Sequence, residues 1–333
     1  MLEVKNMDSY IYLDQNTLSD LRERKLSESE DEGLRKIKKL FYKDGIRLIY
    51  SETHLQEIAQ IPKEQYRQEH IELLSELRGA YITPITTELS VKDPSLVWLD
   101  FLNNENDNEI SGINNVVTAF DKFNRKFSGL PIEESFEELN SQLKHAITEM
   151  LKSAEQELDN IAPSELGGAE AKKAAQAQIA EQLEAASKMS AIDLEGQQEL
   201  GPKPLRDLEK LKALQLENLP EELVINKIDD LFASENNNFN WSDYFDATVH
   251  NQIARCYSLM NWAGYYADDF TSTKKKKDRF RASNNDLMHV RNAAGATLLI
   301  SKDINFLKKA KACYVHLGVN TEVVNANDLV NYL

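Results

Sequence analysis

Three short apolar runs constrain this chain more than anything else in it. "YIYL" at 10–13, "IRLIY" at 46–50 and "ATLLI" at 296–300 each give way at once to a polar residue and then to helix-like spacing. Strands this apolar suit burial on both faces, and strands that alternate with helices require a parallel sheet covered by helices. The pattern predicts a strand Tyr10–Leu13 ending at Asp14. Asn16 or Thr17 would cap a helical stretch over 18–43, broken near Ser27–Gly33. A turn at Gly45, a strand Ile46–Tyr50, a cap at Ser51 and a helix stopped by Pro62 follow, then a helix over 63–78. "GAYITPI" (79–85) is the third strand candidate. Near the far end, a helix over 285–294, a strand over 297–301, a helix over 304–311, a weak strand at Glu322–Val324 and a terminal helical turn resume the alternation.

The middle does not alternate. From about 95 to 235 the spacing is helical, with Asn-rich loops expected at 103–108 and 236–240. "GAEAKKAAQAQIAEQLEAASKMS" (168–190) reads as part of a helical hairpin, punctuated by Pro163, Gly167–Gly168 and Gly201–Pro202. A helix over Tyr244–Asp268 would place Ile253, Tyr257, Met260 and Trp262 on its apolar side. The expected architecture is α/β: a parallel sheet flanked by helices over 1–95 and 241–333, interrupted by a large helical acidic insertion over 96–240.

Charge follows this division. The net charge of −16 argues mildly against a general nucleic-acid binder. Yet residues 131–230 hold 22 Asp and Glu against 10 Lys and Arg, while "STKKKKDRFR" (272–281) holds six bases and one acid. Lys274, Lys275, Lys276, Lys277, Arg279 and Arg281 are therefore candidate contacts to a phosphate backbone, which position nucleic acid without reading its sequence. Such a run is otherwise an ordinary solvated loop. No apolar run approaches the roughly 18–20 residues of a membrane span, and no secretory leader is visible at the start. Cys256 and Cys313 have no CxxC or metal spacing, so free thiols in a reducing, cytoplasmic setting are expected, with no membrane partner. Phosphate-loop, GxSxG and HExxH motifs do not occur.

In a parallel α/β sheet, ligands bind beyond the C-terminal strand ends. Asp14 and Asp303 follow two of those ends, Glu57 lies on the helix after the second strand, and Asp286 lies on the helix feeding the later one. Four carboxylates brought to one edge would repel each other and raise their pKa values, and hard oxygen donors of this kind suit Mg2+ or Mn2+. Each acid alone has a structural reading: Asp14, Asp286 or Asp303 as a helix cap or first-turn acid, and Glu57 as a surface charge, with Glu52 competing for its place. Their order and spacing carry the case.

The segments "IYLDQNTL", "YSETHLQEI", "NDLMHVRNAAGA" and "LLISKDINF" together resemble the PIN-domain family of metal-dependent nucleases over roughly residues 8–85 and 243–327. The resemblance implies that Asp14, Glu57, Asp286 and Asp303 bind the metal and are catalytic. It implies that Asn16 and Ser301 orient them, and that Asn305 stands where some members carry a further acid. His289, one turn beyond Asp286, would contact substrate or hold its helix, the structural role being favoured. The implied activity is endonucleolytic hydrolysis of phosphodiester bonds by a metal-activated water, on RNA in preference to DNA, in a toxin, RNA-processing or antiviral-defence role. Two alternatives remain: a DNA nuclease using the same acids, or a non-catalytic scaffold. The helical insertion would gate the site, self-associate or bind a protein.

Overall fold

The computed structural model of the 333-residue chain describes residues 9–23, 32–83, 87–110, 113–128, 130–188, 209–235, 247–268 and 279–332. Lys274–Lys277 and Trp241 lie outside them. The described residues form α/β architecture with six strands and thirteen α-helices. The chain divides into two compact units, 1–100 with 205–333, and 101–204.

The first unit is built on one sheet. Its strands are β1 (Ser9–Leu13), β2 (Ile46–Ser51), β3 (Ala80–Ile82), β4 (Leu89–Ser90), β5 (Leu298–Ser301) and β6 (Glu322–Asn325). Their order is β4-β3-β2-β1-β5-β6, with every pairing parallel except β3 with β4. The two-residue antiparallel β4 has no counterpart in the sequence reading, because two residues carry no periodicity. Helices α1 (Gln15–Glu23), α2 (Glu32–Phe41), α3 (Glu52–Ala59) and α4 (Glu64–Glu76) lie between the first three strands. Later come α9 (Glu209–Leu214), α10 (Glu221–Glu235), α11 (Val249–Ala263), α12 (Arg279–Ala293) and α13 (Ile304–Leu317).

Alternation along the strands divides the core between two faces. Tyr12, Ile49, Ile82 and Leu299 join one cluster with Ile253, Tyr257, Met260, Val290, Phe306 and Tyr314. Ile11, Leu13, Leu48, Tyr50 and Ile300 are buried too, on the opposite face, where α2 packs on β2 and α1 on β5. Leu13 pairs with Ile300, so Asp14 and Ser301 leave the sheet side by side. Gly295 makes the turn from α12 into β5 at φ +100, a left-handed conformation that glycine adopts without cost.

The second unit is helical, and no strand occurs in it among the described residues. α6 (Ile113–Phe127) packs on α7 (Phe136–Asn160), and α7 packs on α8 (Ala169–Lys188). Lys144 Nζ reaches Ser187 O and Gln176 reaches Asp159, which makes α7 and α8 antiparallel, as the Pro163 and Gly167–Gly168 punctuation implies. α7 opens with a capping box in which Ser135 Oγ accepts from Glu138 N at 3.1 Å and Glu138 accepts from Ser135 N at 2.7 Å.

Several boundaries differ from the sequence reading. The Asn-rich stretch 103–108, expected as a loop, lies inside α5 (Pro94–Ile110), a helix anchored by buried Val97 and Phe101. Anchoring of this kind overrides weak helix propensity. The structural division falls after residue 204, not at 240, so α10 belongs with the sheet. Val224, Ile225 and Ile228 of α10 are fully buried in the sheet unit's core, while Glu221, Glu222 and Asp230 gave the segment its acidic look.

Gly79, between α4 and β3, is a close-packing test. A Cβ there would sit 2.9 Å from Leu74 O and 3.0 Å from the Tyr50 ring. Gly79→Ala is expected to lower stability by about 1–3 kcal/mol, read as a lower urea midpoint with unchanged slope.

Candidate functional site

The C-terminal ends of β1, β2 and β5 are neighbours, and the buried polar residues Asp14, Ser51 and Ser301 lie at them. Asp14 is buried at the end of β1. Its Oδ1 accepts from Thr17 N at 2.9 Å and its Oδ2 from Ser301 Oγ at 2.7 Å, tying the start of α1 to the end of β5. Asp14 is thus itself the cap of α1, not Asn16 or Thr17, because α1 begins immediately after the strand. Burial pushes its carboxyl above the ordinary value, against the hydrogen bonds from Thr17 and Ser301 that hold it down. Ser301 Oγ also accepts from Asp303 N at 3.0 Å, and Asp303 is the exposed N-cap of α13, with Oδ1 accepting from Phe306 N at 3.0 Å.

The second group surrounds the hydroxyl of Tyr12, wholly buried in β1. Tyr12 Oη lies 2.8 Å from His289 Nδ1, 3.0 Å from Ser51 Oγ and 3.4 Å from His54 Nδ1. His54 Nδ1 accepts the Ser51 backbone N–H at 3.0 Å, so its proton stands on Nε2, which donates to Leu13 O at 2.9 Å. Burial, and then the neighbouring His289, hold His54 well below the usual histidine range, and it is neutral. His289 is buried and its Nε2 donates to Glu57 Oε2 at 2.8 Å. Burial disfavours its charged form, but the hydrogen bond and charge of Glu57, with the charges of Asp14 and Asp286, raise its pKa overall. Asn285 Nδ2 donates to Glu57 Oε1 at 2.9 Å, and Asn292 Nδ2 to Thr53 Oγ1 at 3.1 Å. Asn285, His289 and Asn292 follow helical spacing, so one face of α12 is fastened to α3 by three polar contacts.

Asp286 stands in the interior of α12, which begins at Arg279, and so is neither a cap nor a first-turn acid. It is half-buried and forms no hydrogen bond or ion pair among the described residues. Burial, then the charges of Asp268 and Asp303, push its carboxyl up to about 8, while His289 and Lys309 pull the other way.

The four acids thus fall into two linked sets. His289 lies within electrostatic reach of Asp14, Glu57 and Asp286, and Asp286 within reach of Asp303. They do not close around a common point: no group of three or more His, Cys, Asp and Glu among the described residues could hold a metal ion. Asn16 and Asn305 are exposed on the first turns of α1 and α13 and bond none of the four acids. Arg279 and Arg281 open α12 and each has partners. Lys274–Lys277 lie outside the described residues.

The sequence reading missed Tyr12, His54, Asn285, Asp268 and Lys309. A signal existed for two of them. His54 follows Ser51 by three residues, the capping-box spacing, and Lys309 occupies a core position of α13 between Phe306 and Cys313.

A pH dependence follows from Asp286. Its folded pKa lies above its ordinary value, so the folded state holds a proton that the unfolded chain releases. Stability is full below about pH 4 on this account and is lost as pH rises through about 8. Asp286→Asn is expected to raise the melting temperature increasingly between pH 5 and 9, corresponding to roughly 1–2 kcal/mol at the top of that range. Calorimetry across that range would show the same difference between the two proteins at every pH if the carboxyl were unperturbed. Comparison of the chain with protein-family models, with curated proteins and with solved structures yields no match.

Proposed function

We propose that the protein is a PIN-like, metal-dependent endonuclease that hydrolyses phosphodiester bonds, with RNA the favoured substrate. One observation carries this reading: adjacent parallel strand ends bring Asp14, Asp303 and, through α3 and α12, Glu57 and Asp286 to a single sheet edge.

The donor set fits Mg2+ or Mn2+ in chemistry, all of it being hard carboxylate oxygen. The side chains are not gathered into a cage, and Mg2+ needs none, since it commonly keeps several waters and takes one or two carboxylates plus substrate phosphates. Asp286 and Asp303 would hold it. Bound there, the ion would lower the pKa of a water and offset charge on the departing oxygen.

The chain's own groups do the positioning. Ser301 and the α1 backbone fix Asp14. His289 and Asn285 occupy both oxygens of Glu57, so Glu57 serves as an acceptor that keeps a proton on His289 Nε2. Tyr12 fixes the other ring nitrogen, leaving His289 to hold α12, and with it Asp286, against α3. The Lys274–Lys277 segment, which precedes α12 in the chain, would steer the phosphate backbone.

Purified protein is expected to cut labelled single-stranded RNA with Mg2+ or Mn2+ and not with EDTA. Asp286→Asn or Asp303→Asn should slow cutting by about a hundredfold or more while the protein still melts cooperatively. Faster cutting of single-stranded DNA or a flapped duplex would move the substrate to DNA. No cutting of any substrate, together with no shift in melting temperature on adding Mn2+, would overturn the catalytic reading in favour of a scaffold.

A further inference from the structure

β4 is an end strand of the sheet, and among the described residues it pairs with β3 alone. The β3 pairing shows which of its backbone groups face outward. Ser90 lies opposite Tyr81, Leu89 lies opposite Ile82, and Glu88 O accepts from Thr83 N at 3.0 Å. Backbone polar groups alternate in direction along an antiparallel strand. Those of Glu88 and Ser90 therefore face β3, and those of Leu89 and Val91 face away from the sheet. Outward-facing donors and acceptors of this kind are a template for another strand.

The side chains at this edge are apolar as well. Leu89 and Val91 flank Ser90, so they share one face of the strand, and both are exposed, Val91 to 66%. Pro94 opens α5, on which Leu96 and Leu99 are exposed one turn apart. Lys92 Nζ forms an ion pair with Asp100, four residues beyond Leu96, so this face of α5 stands beside the end of β4. Four large apolar side chains at an open sheet edge mark a contact surface.

The order Glu88-Leu89-Ser90-Val91-Lys92 is complementary to itself when laid antiparallel. With Ser90 opposite Ser90 of a second copy, Leu89 meets Val91 and Glu88 meets Lys92, on both sides of the axis. The backbone directions suit that register. Ser90, turned toward β3, falls at a non-hydrogen-bonded position, while Leu89 and Val91 exchange both N–H···O bonds. A pairing centred one peptide away would set outward-facing groups against inward-facing ones, and Glu88 against Val91.

We infer that β4 is a homodimer surface: two copies of this chain pair antiparallel through residues 88–92 about a two-fold axis at Ser90, joining their six-stranded sheets into one. The flanking charges fix the register and work against strands that lack the matching order. Leu96 and Leu99 of each copy widen the contact beyond the strands.

The test is the mass of the full chain in solution, by sedimentation equilibrium over a range of concentrations. Wild type is expected at twice the chain mass of 38.0 kDa. Glu88→Lys opposes like charges at both ends of the pairing, as does Lys92→Glu, and each should weaken dimerisation about tenfold or more. An equimolar mixture of the two variants restores opposite charges at both ends and should dimerise nearly as well as wild type. Val91→Pro removes an outward N–H without touching the bonds to β3, and should give a monomer with an unchanged circular dichroism spectrum. Wild type at monomer mass throughout would overturn the inference and leave this edge to a strand of another protein. A dimer whose affinity none of the variants changes would overturn it by placing the contact elsewhere. Weakening in both charge variants with no recovery in their mixture would overturn the two-fold register.

Discussion

A tyrosine hydroxyl in the middle of a parallel sheet must be hydrogen-bonded or the strand that carries it loses stability. Tyr12 is fully buried on β1, the strand with β2 on one side and β5 on the other. Leaving its Oη unsatisfied would cost on the order of 1–3 kcal/mol. The partners that prevent this come from β2, α3 and α12, as Ser51, His54 and His289. Each is committed in turn: His54 to the end of β1, His289 to Glu57. The result is a chain of bonds from the first strand to a helix almost three hundred residues later. Such a network is worth more complete than in parts, because each member's second bond fixes the direction of its first.

The same edge of the sheet is where electrostatics are least settled. Asp14 is satisfied by two donors and Glu57 by two more. Asp286 has none among the described residues, and its carboxyl is pushed up by burial and by Asp268 and Asp303. Asp268, by contrast, is neutralised from inside by Lys309. The fold therefore compensates most of its edge acids and leaves one carboxylate that pays for its position as pH rises. That asymmetry sets Asp286 apart from its neighbours, and it is independent of which nucleic acid the protein is proposed to cut.

Much of the sheet was legible from local pattern. The apolar runs at 10–13, 46–50 and 297–301 are β1, β2 and β5, and Ser51 and Asp303 cap the helices after two of them. The bonding of His289 was half legible: its spacing from Asp286 put it on the same helix, but its partners Tyr12 and Glu57 lie 277 and 232 residues away. The helix start was read too late, at 285, because Arg279 and Arg281 follow a basic run that looks like loop, so the alternative of Asp286 as a cap or first-turn acid does not hold. The membership of α10 was hidden for a similar reason. Its Val224, Ile225 and Ile228 stripe is three residues wide among acids, and only contact with α13 shows which face is inside.

What the sequence determined by itself is whatever depends on neighbours within a few residues: the strand runs, the helix periods, the caps and the placing of acids just beyond strand ends. Those are set by backbone sterics, by side-chain alternation and by donors that need an acceptor one turn away. Tertiary structure decided everything that depends on distance in space between residues far apart in sequence. It set the strand order, the pairing of Asp14 with Ser301 and of Glu57 with His289, and the burial of Lys309 against Asp268. It also decided that Asp14 and Asp286 are held above their ordinary pKa. Desolvation and Coulomb interaction act through space, and no local pattern records how deeply a carboxylate will be buried or which cation will reach it.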